Sequence, residues 1–381
     1  MVHADELRER QVRMRAAAGE AGVLGVIALG RAFYDRPGAC AWLTGHHPPF
    51  LAASSHPGLR GAGFGAFVLP VEGPTTLVCD PTGAREDIVV ADEIRAVDDV
   101  WCGLADTLRA RGLTRGPVGL LGEDLLPADA AAALATALPD LRLRGLDTRA
   151  NELRQVKSAS EQATLARAAA CADAALAVSL DLLRAGASER ETAAAGTAAA
   201  ISAGADHVRY LRVHSGGWSE RTARWPPALD RVPLDGELVM VDVIGACDGY
   251  AFDVARTIVL GDASSERRAL LDACAAATDA AAGACRAGSR IGDVLEAAAA
   301  VYEAAGLGAH ARSFAGHGIG IETVEAPLLS PVSAELELHA GMVLCVEPGI
   351  AIAGVGGALI EHELVVTSGA PRLLCRTPTL A

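Results

Sequence analysis

The chain has 381 residues, 51% hydrophobic and 21% charged. That composition suits two folded domains with substantial cores and excludes a disordered chain. A formal net charge of -14 at pH 7 argues against non-specific binding to nucleic acid or to anionic membranes.

Nine cysteines are scattered along the chain without a C-x-x-C pair. This pattern points away from a disulfide framework and toward a reducing compartment, so a cytoplasmic location is expected. The first 15 residues mix both charge signs and read as an amphipathic helix, not a signal peptide. No uncharged apolar run reaches the ~18 residues of a membrane span. Apolar runs at 23–29, 41–43, 65–69, 76–79 and 118–121, punctuated by Gly, Pro and Asp, predict strands. A helix is predicted over 128–138. Residues 1–150 thus read as an α/β domain without a catalytic constellation.

The character changes after residue 150. A long Ala- and Leu-rich pattern predicts a helix over 158–185, and Ser188 three positions before Glu191 is a capping-box start for the next. Further helices are expected over 265–287 and 291–305. Strands are expected over 238–244, 250–260, 342–350 and 358–367. This predicts an α+β domain over 151–381, with helices on one side of a largely antiparallel sheet.

Three apolar runs in this second half each lead into a carboxylate: Leu238-Val239-Met240-Val241-Asp242, Val343-Leu344-Cys345-Val346-Glu347 and Ala358-Leu359-Ile360-Glu361. An isolated buried carboxylate costs several kcal/mol or neutralises itself. The first two runs are expected to end at Asp242 and Glu347, and Glu361 is expected at mid-strand. Asp253 follows Asp242 across Asp248-Gly249, a favourable hairpin turn that would bring the two Asp side chains together. His317 sits in Gly316-His317-Gly318-Ile319-Gly320, read as a loop whose small residues let the backbone approach a ligand. Singly, such residues are ordinarily turn and loop residues. Together, four carboxylates and one imidazole are too many anions for one small cation and suit a pair of divalent ions ~3.5–4 Å apart. Oxygen-rich ligation favours Mn2+, Co2+ or Fe2+, with Zn2+ also accommodated.

This set resembles the pita-bread metallohydrolases of the M24 type, which include Xaa-Pro dipeptidase, aminopeptidase P, methionine aminopeptidase and the metal-free creatinase. The resemblance rests on Val241-Asp242 through Gly249-Tyr250, Asp253-Val254-Ala255-Arg256-Thr257, Gly316 to Gly320 with Glu325-Ala326-Pro327, Val346-Glu347-Pro348-Gly349 and Ile360-Glu361. Upstream, Asn151 to Ser158 with Glu161, and Trp42-Leu43-Thr44-Gly45, resemble the linker and amino-terminal domain of creatinase-like members. The resemblance implies a creatinase-type domain over 1–150, a pita-bread domain over 151–381 and a homodimer. It also implies that Asp242 binds one metal, His317 and Glu347 the other, that Asp253 and Glu361 bridge, and that Glu347 is the general base.

The chain departs from the peptidase pattern in two places. A further His is usual seven positions after the metal His, where Val324 stands, and another after the Ser-Gly pair, where the 215–225 loop has none. An Arg usual two before the last metal Glu is Leu359. The loop instead offers Trp218, Arg221, Arg224 and Trp225, suited to a carboxylate or a cationic group. Trp218, Arg221, Arg224 and Val324 are therefore the expected substrate-binding positions. His214, His310 and His362 are read as structural, and Glu363 as a neighbour on the face of Glu361. The expected activity is hydrolysis of an amide-like C–N bond in a dipeptide or small zwitterionic metabolite. A specialised lyase or small-molecule hydrolase of the same fold is the alternative, and an inactive binding module the reading of another class.

Overall fold

The computed structural model describes residues 3–49, 58–221 and 224–380. Met1 and Val2 of the expected first helix, and Thr222 and Ala223 of the 215–225 loop, lie outside the described residues. The chain divides into two compact units, Met1–Arg154 and Gln155–Ala381, against an expected change of character after residue 150.

The first unit contains α1 (Ala4–Glu20), β1 (Gly25–Arg31), α2 (Gly38–Thr44), β2 (Phe64–Pro70), β3 (Thr76–Cys79) and β4 (Glu93–Ala96). These are followed by α3 (Val100–Ala110), β5 (Gly116–Leu121), α4 (Ala128–Ala137), β6 (Leu141–Gly145) and α5 (Asp147–Gln155). The six strands form one mixed sheet in the order β4-β3-β2-β1-β5-β6. The strand expected over 41–43 is instead part of helix α2. Every residue of α2 is buried, so its sequence carries no polar face from which a helical period could be read. Strands β4 and β6 escaped the sequence reading for the opposite reason. They are the two outermost strands of the sheet and are largely exposed.

The second unit opens with α6 (Ala159–Arg184), α7 (Glu189–Ser202), β7 (His207–Ser215), β8 (Leu238–Cys247) and β9 (Tyr250–Val259). Then come α8 (Ser265–Ala284), α9 (Ile291–Ala304), β10 (Gly316–Gly318), β11 (Glu325–Leu329) and β12 (Val343–Val346). Short strands β13 (Ile350–Ile352), β14 (Gly356–Ala358), β15 (His362–Val365) and β16 (Arg372–Leu373) complete it. The antiparallel sheet is present as a three-stranded β7-β8-β9 and a five-stranded β11-β10-β12-β15-β16, with a β13-β14 ribbon. Each has its own helical cover. Ala168, Ala172, Leu176 and Leu180 of α6 join Val241, Val243, Phe252 and Val254 in one core. Residues of α8 and α9 join Leu344, Val346, Ile350 and Leu364 in another. Helix α6 is long and apolar enough by composition to cross a membrane, but 56% of its apolar window is buried within the protein, as its place in the core requires.

Both α6 and α7 start on full capping boxes, Ser158 with Glu161 and Ser188 with Glu191. At the β8–β9 turn Asp248 has φ 51° and Gly249 φ 75°. Two consecutive positive φ values match the right-handed twist of the hairpin. Two expectations about strand ends are corrected, at Asp242 and Glu361, while the second run ends at Glu347 as expected. Asp242 lies in the middle of β8, because the pairing with β9 runs on to Cys247 and Tyr250. The run over 342–350 breaks at Glu347-Pro348-Gly349, between β12 and β13. Glu361 is not at mid-strand but in a three-residue break, Leu359-Ile360-Glu361, between β14 and β15.

Replacing Ser158 by Ala removes the side-chain acceptor for the Glu161 N–H and should destabilise the protein by about 1 kcal/mol. The expected readout is a lower urea midpoint with an unchanged slope; an unchanged midpoint would show that this cap contributes nothing.

Candidate metal centre

The β8–β9 hairpin separates two chemistries by alternation. Asp242 pairs with Ala255, and Ile244 with Asp253, so both Asp side chains leave from one face. Val241, Val243, Phe252 and Val254 leave from the other, toward α6. Beside Asp242 on the first face, Met240, Ala255 and Leu359 form a small apolar cluster.

The break that carries Glu361 is pinned to β9. The Thr257 hydroxyl accepts from the Leu359 N–H at 3.0 Å and donates to the Leu359 carbonyl at 2.9 Å. The Glu361 N–H donates to the Ala255 carbonyl at 3.0 Å, and the buried Arg256 guanidinium donates to the Glu361 carbonyl. Just beyond β12, the Glu347 N–H donates to the Ala315 carbonyl at 2.8 Å. His317 lies in strand β10, not in a loop. Its flanking glycines are required by how tightly β10 is held between β11 and β12. A Cβ at Gly316, where φ is +136°, would come within 1.9 Å of the Cys345 carbonyl oxygen, and one at Gly318 within 2.5 Å of the Ala326 carbonyl oxygen. The ring Nδ1 is 3.0 Å from the Gly318 carbonyl oxygen, which turns Nε2 toward the carboxylates.

The structure brings Asp242, Asp253, His317, Glu347 and Glu361 together. His317 Nε2 is 3.4 Å from Glu347 Oε1 and 3.8 Å from Asp253 Oδ2. Carboxylate oxygens of Asp242, Asp253 and Glu361 lie within 4.8 Å of one another, as do a His317 ring nitrogen, Cys345 Sγ and a Glu361 oxygen. Glu361 belongs to both groups. Asp242, Asp253 and Glu361 are 4%, 6% and 1% exposed. Burial pushes the Asp242 carboxyl up to about 6, with Arg212 opposing the rise and Glu347 adding to it. Burial, then the neighbouring carboxylates, raise Asp253 and Glu361 well above the usual range. Among the described residues, Asp242 Oδ1 and Glu361 Oε1 are buried without a hydrogen-bond partner. Hard oxygen donors, one imidazole and two unsatisfied buried carboxylate oxygens fit divalent cations.

Two neighbours, Arg212 and Cys345, were not anticipated from sequence, and a third, Glu363, was. Arg212 stands opposite Asp242 in the β7–β8 register, 3.4 Å from its Oδ2, with its guanidinium 4.2 Å from the Tyr210 ring centroid. Recognising β7 as a strand would have found it. Cys345, in sequence only a member of the apolar run into Glu347, is two residues before that carboxylate and opposite His317. Glu363, read as a neighbour of Glu361, accepts from the Asp253 N–H at 2.9 Å.

The expected substrate-binding positions are exposed. Trp218 is 46% and Val324 55% exposed, and Arg221 and Arg224 are also exposed. Among the described residues, none of the four is hydrogen-bonded or ion-paired to the five clustered side chains. His310 is exposed, while His362 pairs with Asp279 of α8 at 3.0 Å.

Comparison with known proteins places this arrangement. The model of metallopeptidase family M24 matches residues 163–368, a span that contains all five residues. The chain belongs to metallopeptidase family M24. It is 26% identical over 226 residues to an Xaa-Pro dipeptidase of Pyrococcus horikoshii, covering 59% of this chain and 64% of that protein. It is 30% identical over 228 residues to the putative dipeptidase YkvY of Bacillus subtilis, covering 60% of this chain and 62% of that one. The chain thus covers less than two thirds of these curated relatives. Among solved structures, dipeptidase PepE from Mycobacterium ulcerans is similar with a TM-score of 0.81 and 28% identity, covering 100% of this chain and 98% of that one. The prolidase from Pyrococcus horikoshii OT3 is similar in fold with a TM-score of 0.82 at 21% identity, covering 97% and 99%. The fold of this M24 member is α+β, a pita-bread catalytic domain preceded by a creatinase-type α/β domain.

If buried like charges dominate the centre, Asp253→Asn should raise the melting temperature of the chelator-treated protein by a few degrees. The same variant should lose the stabilisation that Mn2+ gives the wild type. An Asn variant that still responds fully to Mn2+ would exclude Asp253 as a ligand.

Proposed function

We propose that this chain is a metal-dependent hydrolase that cleaves an amide-like C–N bond in a dipeptide or a comparably small zwitterionic substrate. The observation that carries the reading is the pair of unsatisfied buried oxygens, Asp242 Oδ1 and Glu361 Oε1, inside a cluster that also contains Asp253, His317 and Glu347. In this reading Asp242 would help hold one divalent ion, His317 and Glu347 the other, and Asp253 and Glu361 would contribute to both. Membership of Glu361 in both ligand-distance groups supports its shared role. Mn2+, Co2+ or Fe2+ suits the oxygen-rich set, and Zn2+ is accommodated. When bound, such a pair supplies a Lewis acid for the scissile carbonyl and an acidified water.

The remaining work falls to the protein. Glu347 takes a proton from the attacking water and returns it to the departing nitrogen, so that a C–O bond replaces the C–N bond and a carboxylate and an amine leave. Arg212 offsets part of the anionic charge through Asp242. Trp218, Arg221, Arg224 and Val324 set specificity at the exposed side. We further propose that the protein is cytoplasmic, works as a homodimer and needs neither nucleic acid nor a membrane.

One feature favours a second reading, a hydrolase or lyase specialised for a small metabolite. Val324 stands where a His is usual, and residues 215–225 contain no His. A side-chain donor to a developing oxyanion is typically worth about 3–4 kcal/mol, so its loss weakens ordinary peptide hydrolysis. Turnover of Xaa-Pro dipeptides against a panel of small zwitterionic amides, with Mn2+ added, separates the two. Robust proline release would end the metabolite reading. In either case Glu347→Gln should reduce kcat by roughly 10^2–10^4-fold with an unchanged circular dichroism spectrum. Wild-type turnover in that variant would remove Glu347 from the mechanism.

A further inference from the structure

His214 lies on β7 opposite Met240, two residues beyond Arg212, which is opposite Asp242. Directly opposed residues share a face, and so do residues two apart along a strand. His214 therefore leaves β7 on the side of Arg212 and Asp242. Leu211 and Val213 point the other way, into the α6 core. The imidazole is 3% exposed.

Its Nδ1 is 2.9 Å from the Arg221 carbonyl oxygen. A carbonyl can only accept, so Nδ1 carries the proton and Nε2 of the neutral ring presents a lone pair. Burial favours that neutral form and outweighs the Arg221 and Pro226 carbonyls and Glu189, which favour the charged ring. Nε2 is itself buried and has no hydrogen-bond partner among the described residues. A purely structural role explains Nδ1, which ties Arg221 to the strand, but leaves Nε2 as a buried acceptor with nothing to accept from, and such atoms are costly.

The same face holds two other unsatisfied atoms, Asp242 Oδ1 and Glu361 Oε1, whose needs are opposite in kind. The carboxylates call for a cation and the imidazole for a hydrogen-bond donor. Between them lies the apolar patch of Met240, Ala255 and Leu359. Two strand residues span about 7 Å, close to the length of a dipeptide.

We propose that His214 Nε2 is a substrate-binding acceptor that takes an N–H donor of a dipeptide-sized ligand whose other end lies at the carboxylate cluster. This rests on the hydrolase reading above and deepens it. The donor is either the substrate's free ammonium or the N–H of its scissile amide. The Met240, Ala255 and Leu359 patch receives the short aliphatic part between.

Two variants separate the ring's two nitrogens. His214→Asn keeps a donor near the Nδ1 position and loses the acceptor. His214→Gln keeps a polar group at the reach of Nε2. The probes are Gly-Ala, with both donors, Gly-Pro, with only the ammonium, and acetyl-Ala, with only the amide N–H, each tested on the Mn2+-loaded protein. Binding is measured by calorimetry alongside turnover, so the result does not depend on catalysis. The expected outcome is a Kd or KM raised about 10- to 100-fold in His214→Asn, with Mn2+ content and melting temperature unchanged, and largely restored in His214→Gln. The probe whose binding is insensitive to His214→Asn identifies the donor that is not used. Wild-type affinity of His214→Asn for all three probes, or failure of all three to bind the wild type, would overturn the proposal. A protein that takes up no Mn2+ would refute the hydrolase reading separately, and binding of the probes would still decide the role of His214.

Discussion

Four carboxylates and an imidazole cannot share a small, dry volume unless positive charge enters with them. Here the protein supplies Arg212 beside Asp242. That is one positive charge against four, and two carboxylate oxygens remain without partners. At the low effective dielectric of a buried site this is a large electrostatic deficit. Protons can relieve it at modest pH, as the raised Asp242, Asp253 and Glu361 carboxyls indicate. Divalent cations relieve it more fully, and their binding then contributes to folding stability.

The scaffold is arranged around that deficit. The β8–β9 hairpin spends one face on the α6 core and the other on the carboxylates, so a single strand pair both anchors the fold and presents Asp242 and Asp253. Glu361 depends on tertiary contacts instead, since its segment is held by Thr257, Arg256 and the Ala255 carbonyl. The buried Lys157–Glu325 pair at 3.2 Å fastens β11, which pairs with β10 and therefore with His317. Removing either member of such a pair would strand a buried charge.

Much of this was legible in the sequence because it was local. The Asp248-Gly249 turn and both capping boxes each need only a few neighbouring residues to be read. Features decided by distant contacts were not. The sequence cannot show that β8 continues past Asp242, because polar residues are tolerated at mid-strand once a cation site is opposite. It cannot show that Glu361 sits in a break, because the hydrogen bonds that hold the break come from β9, about a hundred residues earlier. Arg212, and the face on which His214 lies, became visible only through the register of β7 against β8. Helix α2 was misread because a wholly buried helix has no amphipathic period.

The most direct test of the account is the metal content of the protein, purified without chelator and reconstituted with Mn2+ or Co2+, measured by elemental mass spectrometry per folded chain. The account predicts two tightly held divalent ions per chain in the wild type. A folded wild-type protein that holds none, and whose thermal stability does not respond to either ion, would contradict it.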